Sequence, residues 1–574
     1  MKFLKLFVAR DARGARDINK MQQEIKNWIK KILKMEEDFA LVHPKDIKNG
    51  DYTFISDSKN PEEDSEKLKK NKLTGIDKIE RAGRFINFYL PREFFSKSIE
   101  EILNKAENFG RNDILKGKKV MVEYTDPNPF KPFHIGHLMS NAVGESISRL
   151  VEFSGAKVAR ANYQGDVGLH VAKAVYGLLQ NEKLQSKAGS HSLQAGNIGR
   201  AYVYGAEGYE DDENAKKEID EINKKIYARN DEKINEIYQW GFDVTMEAFE
   251  DLYKILGTKF DFYFLESQMA SIGKEIVRAN TGKVFEESDD AVVFKAEKYD
   301  PKLHTRVFIT SANLPTYETK ELGLIEEKFK TEPNMDLSIT ITANEQADYM
   351  RVVAKALSLI HPDFENKMKH ITHGMMRLAS GKMGSRKGNV ITGESLLNEV
   401  RDTILNKIID RGFSPEDEEK VATDVGVAAI KYSILKQAIG GDIIFDFEKS
   451  ISFEGDSGPY LQYSYTRANS VLDKAQKENI LPDPHAFPPE IFEIEKMLYK
   501  FPEVVSRSSS FYEPHHIANY LIEIARSFNS FYGNNLIANK DDKNSPYKVA
   551  LTYAFAFVMK NGLHLLGIEA PKKM

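Results

Sequence analysis

Phe133-His134-Ile135-Gly136-His137 stands shortly after the apolar run Val120-Met121-Val122-Glu123-Tyr124, and three prolines lie between the two segments. The run is short and rich in valine, which is typical of a buried parallel strand. After the histidines, apolar residues recur at helical spacing up to Gly155, which the pattern predicts as the residue just past the helix. A strand, a loop and a helix N-terminus in this order present free N–H groups and a positive dipole end to an anion. The stretch therefore predicts a nucleotide site in a parallel α/β sheet.

The composition limits the class of protein. The chain has 574 residues, of which 41% are hydrophobic, so several packed domains are expected. It has no cysteine, which excludes thiolate zinc sites; no zinc is expected, and Mg²⁺ carried in with a nucleotide suits the remaining ligand types. A net charge of −5 means that any RNA must bind to local basic patches. The start of the chain lacks a signal-peptide core and the longest apolar run, 549–559, is too short for a bilayer, so a cytoplasmic protein without membrane contact is predicted.

The segments before and after the nucleotide stretch differ in pattern. Helical spacing over residues 16–35 predicts an amphipathic helix, and the polar stretch 56–72 predicts a solvated loop. The alternation in 85–90 predicts a strand of a small α+β domain; Phe85 and Asn87 share one face, which could also stack on and read an unpaired base. Beyond Thr392, a predicted helix cap, the pattern is helical almost to the end, which indicates a C-terminal helical bundle.

Between residues 118 and 392, strand-like and helical runs alternate, and 156–164 and 306–310 are among the strand-like ones. This order predicts parallel βαβ units of the doubly wound type. The polar helical stretch 185–255 is predicted to be an insertion rather than part of the sheet.

A second half-motif, Gly381-Lys382-Met383-Gly384-Ser385-Arg386-Lys387-Gly388-Asn389, places three cations on a glycine-rich loop. It follows His373-Gly374-Met375, so folding of a parallel sheet could bring it to the same crevice as His134. A cationic loop that closes over a triphosphate neutralises the charge that grows on departing pyrophosphate.

These two motifs resemble the HIGH and KMSKS signatures of the class I aminoacyl-tRNA synthetases, and the finer pattern is similar to the arginyl-tRNA synthetase family. Further matches cover most of the chain from about residue 75: Val122 to Asn128 with Lys131-Pro132-Phe133, Gly165-Asp166-Val167-Gly168, Leu314-Pro315-Thr316-Tyr317, Gly458 to Tyr463, Glu513-Pro514-His515 with Phe528 to Tyr532, and Leu566 to Pro571. The likeness is weaker over residues 1–74.

The resemblance implies a two-step ligase reaction. Arginine and ATP, with Mg²⁺, give arginyl-adenylate and pyrophosphate, and the arginyl group then passes to the 3′ end of tRNA(Arg). Binding of ATP would fall to Phe133, His134, Gly136, His137, His373, Gly374, Met375, Lys382, Met383, Ser385 and Arg386. The catalytic groups would be His134, His137, Lys131, Lys382 and Lys387. Positioning and electrostatics must carry such a reaction, because the arginine carboxylate attacks the α-phosphate directly and no covalent enzyme intermediate is needed.

The arginine pocket needs carboxylates and planar acceptors, because a guanidinium has five donors and keeps its charge. By position in the family pattern, the pocket residues would be Glu123, Asn128, His134, Tyr317, Glu321 and Gln346. Two departures stand out: Glu321 occupies a position where the family commonly has aspartate, and Ser385 replaces the fourth-position lysine of KMSKS. Lys131 is expected to compensate for that lost cation, with Lys387 as the competing candidate.

The implied organisation has four parts: a tRNA-contacting N-terminal domain (1–110), a Rossmann-type catalytic domain (111–395) with an inserted connective region at about 185–300, a helical stem-contact region (396–450), and a helical anticodon-binding domain (451–574). Expected tRNA contacts are Phe85, Asn87, Tyr460, Gln462, Tyr463 and Arg467. A monomer is expected. The alternatives are another class I synthetase, a nucleotidylyltransferase, which would leave the helical bundle unexplained, and a non-catalytic RNA-binding relative, against which the intact histidines argue.

Overall fold

The structure of the protein, a computed structural model, describes residues 18–379, 392–408 and 413–574, with side chains from Met21 onward. The loop predicted to carry Lys382, Met383, Ser385, Arg386 and Lys387 therefore lies outside the described residues. Within the described ranges, no helix is both long and apolar enough to cross a membrane.

The N-terminal unit is a small α+β domain. Its elements are α1 (Ile18–Leu33), β1 (Leu41–Val42), β2 (Tyr52–Ile55), α2 (Pro61–Lys70), β3 (Lys78–Ala82), β4 (Phe85–Tyr89) and α3 (Arg92–Lys105). The four strands form an antiparallel sheet in the order β1-β2-β4-β3.

The predicted first helix and the strand at 85–90 are thus confirmed, but the prediction of a loop over 56–72 is wrong. Asn60 caps α2 by accepting from Glu63 N, Pro61 starts it and acids fill its first turn, signals that the charge content of the stretch obscured.

The next region contains the predicted parallel sheet. Its elements up to residue 379 are β5 (Lys119–Glu123), α4 (Ile135–Phe153), β6 (Lys157–Gln164), α5 (Leu169–Gln180), α6 (His191–Asp211), α7 (Glu213–Ala228), α8 (Glu232–Leu256), β7 (Phe262–Leu265), α9 (Glu266–Ala279), β8 (Glu286–Ser288), β9 (Ala291–Phe294), β10 (Arg306–Ile309), α10 (Tyr317–Thr331), β11 (Leu337–Ala343), α11 (Ala347–Ile360), β12 (Met368–His373) and β13 (Met376–Leu378). Five strands pair in parallel in the order β12-β11-β5-β6-β7, so the doubly wound prediction is confirmed.

Two predictions about this region need correction. The strand-like run 306–310 does form β10, but β10 pairs antiparallel with β9 in a separate three-stranded sheet instead of joining the parallel one. The inserted region does not run continuously over 185–300, because β7 returns to the parallel sheet. The helical insertion consists of α6, α7 and α8, which pack with α5 around their own apolar cluster.

The remainder is helical, as predicted. It comprises α12 (Gly393–Ile408), α13 (Pro415–Leu435), β14 (Ile443–Phe445), α14 (Phe447–Ser450), α15 (Gly458–Lys477), α16 (Glu495–Leu498), α17 (Phe501–Phe511), α18 (His515–Asn534) and α19 (Ser545–Leu565). Thr392 caps α12 as predicted, because its Oγ1 accepts from Ser395 N at 2.9 Å. One contiguous apolar core runs from α1 through α4 to α19, so the helical bundle and the N-terminal unit pack directly on the sheet domain.

Candidate active site

Two stacked imidazoles mark the N-terminus of α4. The rings of His134 and His137 lie 3.5 Å apart between centroids. The backbone N–H of His134 donates to His137 Nδ1 at 3.1 Å, so Nδ1 is an acceptor and the ring proton of neutral His137 sits on Nε2. Burial and the neighbouring His134 and Lys131 lower the pKa of His137 well below its usual range, and burial and Lys131 also lower the pKa of His134. The pair therefore offers neutral donors beside a positive helix end.

Gly136 keeps the His134 ring in place. A Cβ on Gly136 would lie 3.0 Å from two atoms of that ring, tighter than ordinary packing contacts. The close approach of the His134 ring therefore explains why a glycine suits this position.

Of the two described segments that flank the predicted cationic loop, the one on its C-terminal side lies at this site. On the C-terminal side, Thr392 forms a β-bridge with His134 and Gly393 N donates to Phe133 O at 2.7 Å. On the N-terminal side, β13 pairs in parallel with β14, and Ala379 N donates to Phe445 O.

His373 and Gly374 line a small pocket next to α4. His373 is buried at the end of β12, and its Nδ1 donates to Gly374 O at 2.8 Å; burial lowers its pKa. Gly374 packs closely on the backbone of Gly441, whose carbonyl oxygen would be 2.3 Å from an added Cβ. Met139 and Val143 close the other side of the pocket. The lining is largely apolar. The predicted third member, Met375, is largely exposed at the rim.

The loop between β5 and α4 is held in unusual backbone conformations. Thr125, Asp126 and Phe130 have φ values of 82°, 47° and 66°, which L residues rarely adopt. Ser140 Oγ accepts from Thr125 N at 2.9 Å, and Asp126 Oδ1 accepts from Tyr163 N at 2.8 Å. Strained backbone that persists under such constraints is common at functional sites. The sequence showed only the prolines of this loop, not its left-handed residues.

A buried acidic cluster lies directly below this loop. Glu123, at the end of β5, forms an ion pair with Lys328 of α10, and both side chains are almost fully buried. Lys328 Nζ also donates to Thr340 Oγ1 at 3.2 Å. Glu123 is thus already paired inside the protein, which its assignment to the arginine pocket did not anticipate. Lys328 was missed by the sequence analysis, although it lies seven residues after Glu321 and so on the same helix face.

Glu321 is a second buried acid of this cluster, and it lacks a cation. Its residue is 8% exposed, and among the described residues no group donates a hydrogen bond to its carboxylate or pairs with it. Burial and the nearby Glu123 raise the pKa of Glu321 to about 8. Burial and Glu123 likewise raise the pKa of Asp126 well above its usual range. Three carboxyl groups thus share one lysine, and full ionisation requires another positive charge.

The other predicted arginine contacts stand around this cluster. Asn128 uses its side-chain oxygen to accept from Gly165 N at 3.1 Å, which closes the loop onto β6. Tyr317 begins α10 and is 71% exposed. Gln346 follows β11 at the carboxyl edge of the sheet, where its Oε1 accepts from Tyr349 OH. Burial and Glu321 raise the pKa of Tyr349, which places that phenol beside the cluster as a donor that the sequence analysis missed.

Lys131 lies beside the histidines, as its position in the sequence predicted. Its Nζ is 5.4 Å from the ring centre of Tyr202 on α6, and its charge is among the influences that lower the pKa of His134 and of His137. Burial and the neighbouring Lys173 lower the pKa of Lys131 itself. A cation is therefore available on the insertion side of the nucleotide stretch.

Two of the predicted tRNA contacts are corrected. Asn87 is buried within its sheet, where its Oδ1 accepts from Thr53 Oγ1 at 2.7 Å, so it does not share the exposure of Phe85. Gln462 is fully buried and its Nε2 donates to Glu569 O at 2.9 Å, so its amide stabilises the fold.

Three of the remaining predicted tRNA contacts, Tyr460, Tyr463 and Arg467, lie on α15 of the helical bundle. Tyr460 OH accepts from Asn529 Nδ2 at 2.9 Å. The guanidinium of Arg467 lies 4.7 Å from the ring centre of Tyr463 and 5.0 Å from that of Tyr532. This cluster combines aromatic faces with a cation, which is the usual composition of surfaces that stack on unpaired bases.

Comparisons with known proteins agree on one family. The profile described as "tRNA synthetases class I (R), catalytic domain" matches residues 98–447, and the "DALR anticodon binding domain" profile matches residues 461–574. The arginine–tRNA ligase of Clostridium perfringens is 31% identical over 524 residues, which are 89% of this chain and 90% of that protein. The Clostridium kluyveri ligase is 31% identical over 572 residues, which are 96% of this chain and 99% of that protein.

Solved structures show the same fold. Arginyl-tRNA synthetase of Thermus thermophilus superposes with a TM-score of 0.79 at 23% identity and covers 96% of this chain and 100% of that chain. The Plasmodium falciparum enzyme superposes with a TM-score of 0.75 at 20% identity and covers 98% and 100%.

Proposed function

The chain belongs to the class I arginyl-tRNA synthetases, and from this premise we propose how its described residues carry out the family's reaction. The chain is a ligase that activates L-arginine with ATP and transfers the arginyl group to tRNA. The observation that carries our assignment of the amino-acid pocket is the buried Glu321 carboxylate, which lacks a cation beside the strained loop. A guanidinium keeps its charge at any physiological pH, so it is the side chain that such a cluster binds best.

In the proposed arrangement, the guanidinium enters between Glu321 and the Glu123–Lys328 pair. Tyr317, Gln346 and Asn128 stand nearer the carboxyl edge of the sheet and would orient the α-amino and α-carboxylate groups. The arginine carboxylate then faces the N-terminus of α4, where nucleotide phosphates would lie. The residues that select arginine and the residues that position the nucleotide phosphates would thus lie at opposite ends of the loop between β5 and α4.

The adenylation step needs charge stabilisation rather than a nucleophile from the protein. An arginine carboxylate oxygen forms a bond to the α-phosphorus while the bond to the β-phosphate oxygen breaks, and pyrophosphate leaves with the electron pair. His137 would donate its Nε2–H to the phosphates, and His134 and Lys131 would add donors and charge on either side. His373, Gly374 and Met375 would hold the adenine.

Mg²⁺ is proposed to enter as part of the nucleotide. The side chains described around the stacked histidines are imidazoles and a lysine, whereas Mg²⁺ prefers oxygen ligands, so the triphosphate itself would hold the ion. Its contribution there would be to neutralise charge on the pyrophosphate. Lys382, Met383, Ser385, Arg386 and Lys387 are proposed to contact the same phosphates; in support, Thr392, which follows their loop, forms a bridge with His134.

We propose that the N-terminal unit and the helical bundle bind tRNA(Arg), that the protein works in the cytoplasm, and that it acts as a monomer. On the bundle, the candidates are Tyr460, Tyr463 and Arg467; on the N-terminal unit, Phe85 remains the exposed aromatic side chain of its strand, at 49% exposure.

ATP–pyrophosphate exchange tests the proposed amino-acid specificity. Each amino acid is supplied with and without tRNA(Arg). Arginine is expected to support exchange when tRNA(Arg) is present, and lysine is expected to be a poor substrate because an ammonium cannot make planar bidentate contacts. Exchange with another amino acid in preference to arginine would refute the assignment.

The pH dependence of arginine use follows from Glu321. Its pKa of about 8 means that the carboxyl is largely protonated below pH 8, and guanidinium binding requires the ionised form. We therefore expect the KM for arginine to fall by up to about tenfold per pH unit as pH rises toward 8, and to level off above it. The KM for ATP, measured in the same series, is the control and should lack this slope. An arginine KM that is flat between pH 6.5 and 8.5 would contradict the ionisation model.

The stacking surface on the bundle is tested by Tyr463→Ala. Loss of one aromatic face is expected to raise the KM for tRNA about tenfold, since stacking on one base is worth about 1–3 kcal/mol. Tyr299→Ala is the control, because it removes an exposed tyrosine that lies beside Lys355 and outside the helical bundle. It should leave the KM for tRNA unchanged. Equal effects of the two changes would mean that this surface does not bind tRNA.

A further inference from the structure

Backbone carbonyls at the end of α19 and just beyond it are held by side chains from three other helices. The bonds run from Arg149 Nη1 to His564 O (3.0 Å), from Ser146 Oγ to Leu565 O (2.7 Å), from Lys431 Nζ to Gly567 O (2.8 Å), from Gln462 Nε2 to Glu569 O (2.9 Å), and from Thr466 Oγ1 to Pro571 O (3.0 Å). Carbonyls at a helix C-terminus are usually left to water or to local turns. Here α4, α13 and α15 fix residues 564–571, which we call the clamped segment.

The α4 end of this clamp continues into the active site. Arg149 Nε pairs with Glu145 Oε1 at 2.7 Å, and Glu145 Oε2 accepts from Tyr124 OH at 2.5 Å. Although burial opposes it, Arg149 and Arg160 hold the pKa of Glu145 below its usual range, so Glu145 is an ionised acceptor inside the protein. The Tyr124 ring lies against Gly144, where an added Cβ would come within 2.2 Å of it.

Tyr124 immediately precedes the strained residues of the pocket loop. Thr125 has a φ of 82°, and α4 holds it through Ser140 and Asn141, the latter donating to Thr125 Oγ1 at 3.0 Å. One helix therefore carries the nucleotide motif on its first turn, the loop contacts on its second and third turns, and the clamp on its last turns. Arg149 lies about 20 Å along α4 from Ile135, at 1.5 Å per residue.

Lys431 is the buried anchor of the clamp on α13. Besides Gly567 O, its Nζ donates to Leu256 O at 2.6 Å, at the end of the insertion helix α8. Gly567 has a φ of 66°, and a Cβ there would lie 2.8 Å from Nζ. Burial and Arg149 lower the pKa of Lys431 to about 7, and even a neutral amine has the two N–H groups that these two carbonyls require.

We propose that Glu145, Arg149 and Lys431 are positioning residues through which the clamped segment of the anticodon-side bundle sets the geometry of the arginine pocket. Movement of the bundle when tRNA docks would shift the clamped segment, and Arg149, Glu145 and Tyr124 would pass that shift to the pocket loop. This inference rests on the arginine pocket proposed above and adds a physical connection between the tRNA-binding bundle and amino-acid binding.

The test measures arginine-dependent exchange, with tRNA(Arg) present, in four variants of the full chain. Tyr124→Phe removes only the bond to Glu145, and Lys431→Met removes the anchor while keeping an apolar stem. Each is expected to raise the KM for arginine about tenfold, the usual size for loss of a hydrogen bond to a charged group, and to leave the KM for ATP unchanged. The double variant should be no worse than the poorer single variant, because both changes interrupt one connection. Thr466→Val is the matched control: it removes the clamp bond to Pro571 O, at the end of the clamped segment that is farthest along the chain from the α4 bonds at His564 and Leu565, and it should leave the KM for arginine unchanged.

Independent effects of the two changes, giving roughly a hundredfold rise in the double variant, would overturn the proposal. So would an equal rise with Thr466→Val, which would indicate general loosening of the fold. If Lys431→Met does not fold, Gly567→Ala in the Tyr124→Phe background takes its place, with the same expectation of no added effect. If the unaltered protein shows no arginine-dependent exchange, the proposed pocket fails and the connection fails with it; normal exchange with independent effects refutes the connection alone.

Discussion

Replacing Glu321 with glutamine is expected to raise the KM for arginine by about 10²–10³-fold while the KM for ATP stays the same. The change keeps the shape of the side chain and removes the one carboxylate of the cluster that has no partner among the described residues. A buried guanidinium left without its counter-charge costs about 3–5 kcal/mol, and the lower half of that range corresponds to this factor. Steady-state exchange at saturating ATP, with tRNA present, is the measurement.

Two companion variants make this result specific. Glu327→Gln alters a neighbouring acid on α10 whose pairing with Lys330 lies at the surface, and it should change arginine use by less than twofold. Glu123→Gln should also impair arginine use, but it leaves Lys328 buried without its partner and should therefore lower Tm, unlike Glu321→Gln. If Glu321→Gln uses arginine normally and Glu123→Gln does not, the guanidinium binds at Glu123 and the assignment of Glu321 is wrong.

Lys131→Ala is expected to lower the rate of adenylate formation by about 10²–10³-fold, with arginine binding nearly unchanged. One well-placed donor to charge that develops in a transition state is worth about this factor. Ser385 cannot supply the cation found at the fourth position of the family motif, and the structure places Lys131 beside the stacked histidines. Rapid-quench measurement of the first turnover separates this step from tRNA charging and product release.

Three further variants distinguish Lys131 from its competitors. Lys173→Ala removes a neighbouring lysine that lies over Tyr209 and should have little effect on the rate. Lys387→Ala should cost less than Lys131→Ala, and Ser385→Lys in the Lys131→Ala background should restore part of the loss. A normal first turnover in Lys131→Ala together with its loss in Lys387→Ala would show that the loop alone supplies the charge.

The parallel sheet and the nucleotide motif could be predicted because they are written in local patterns. In the valine-rich run before Glu123 and in the helix after His137, the pattern of apolar residues by itself predicts which side chains are buried. Gly155 follows the end of that helix and has a φ of 97°. Thr392 gave a correct cap for the same reason. The loop predicted over 56–72 is the exception, because its charge content obscured the equally local helix signals of Asn60 and Pro61.

The errors share a different physical origin. Strand β10 satisfies the pattern of a buried strand, but periodicity does not say which strand is its partner. Glu123 was correctly expected to be buried, yet its pairing with Lys328 links positions more than two hundred residues apart. Gln462 has a side chain that can bind RNA and stands between two tyrosines predicted to do so, but only the fold shows that its amide faces inward. In each case the missing information was the identity of the partner, which is local for β10 and more than a hundred residues away for Glu123 and Gln462.

The left-handed residues of the pocket loop also bear on efforts to make this enzyme more heat-resistant. Thr125, Asp126 and Phe130 each occupy backbone space in which glycine is comfortable and other residues are not. A selection that rewarded survival on heating alone would thus tend to accept glycine or a shortened loop there, at little structural penalty. The selected variants would have a more flexible pocket loop and would bind arginine less well. Directed evolution of this protein therefore needs a screen for arginine use in every round.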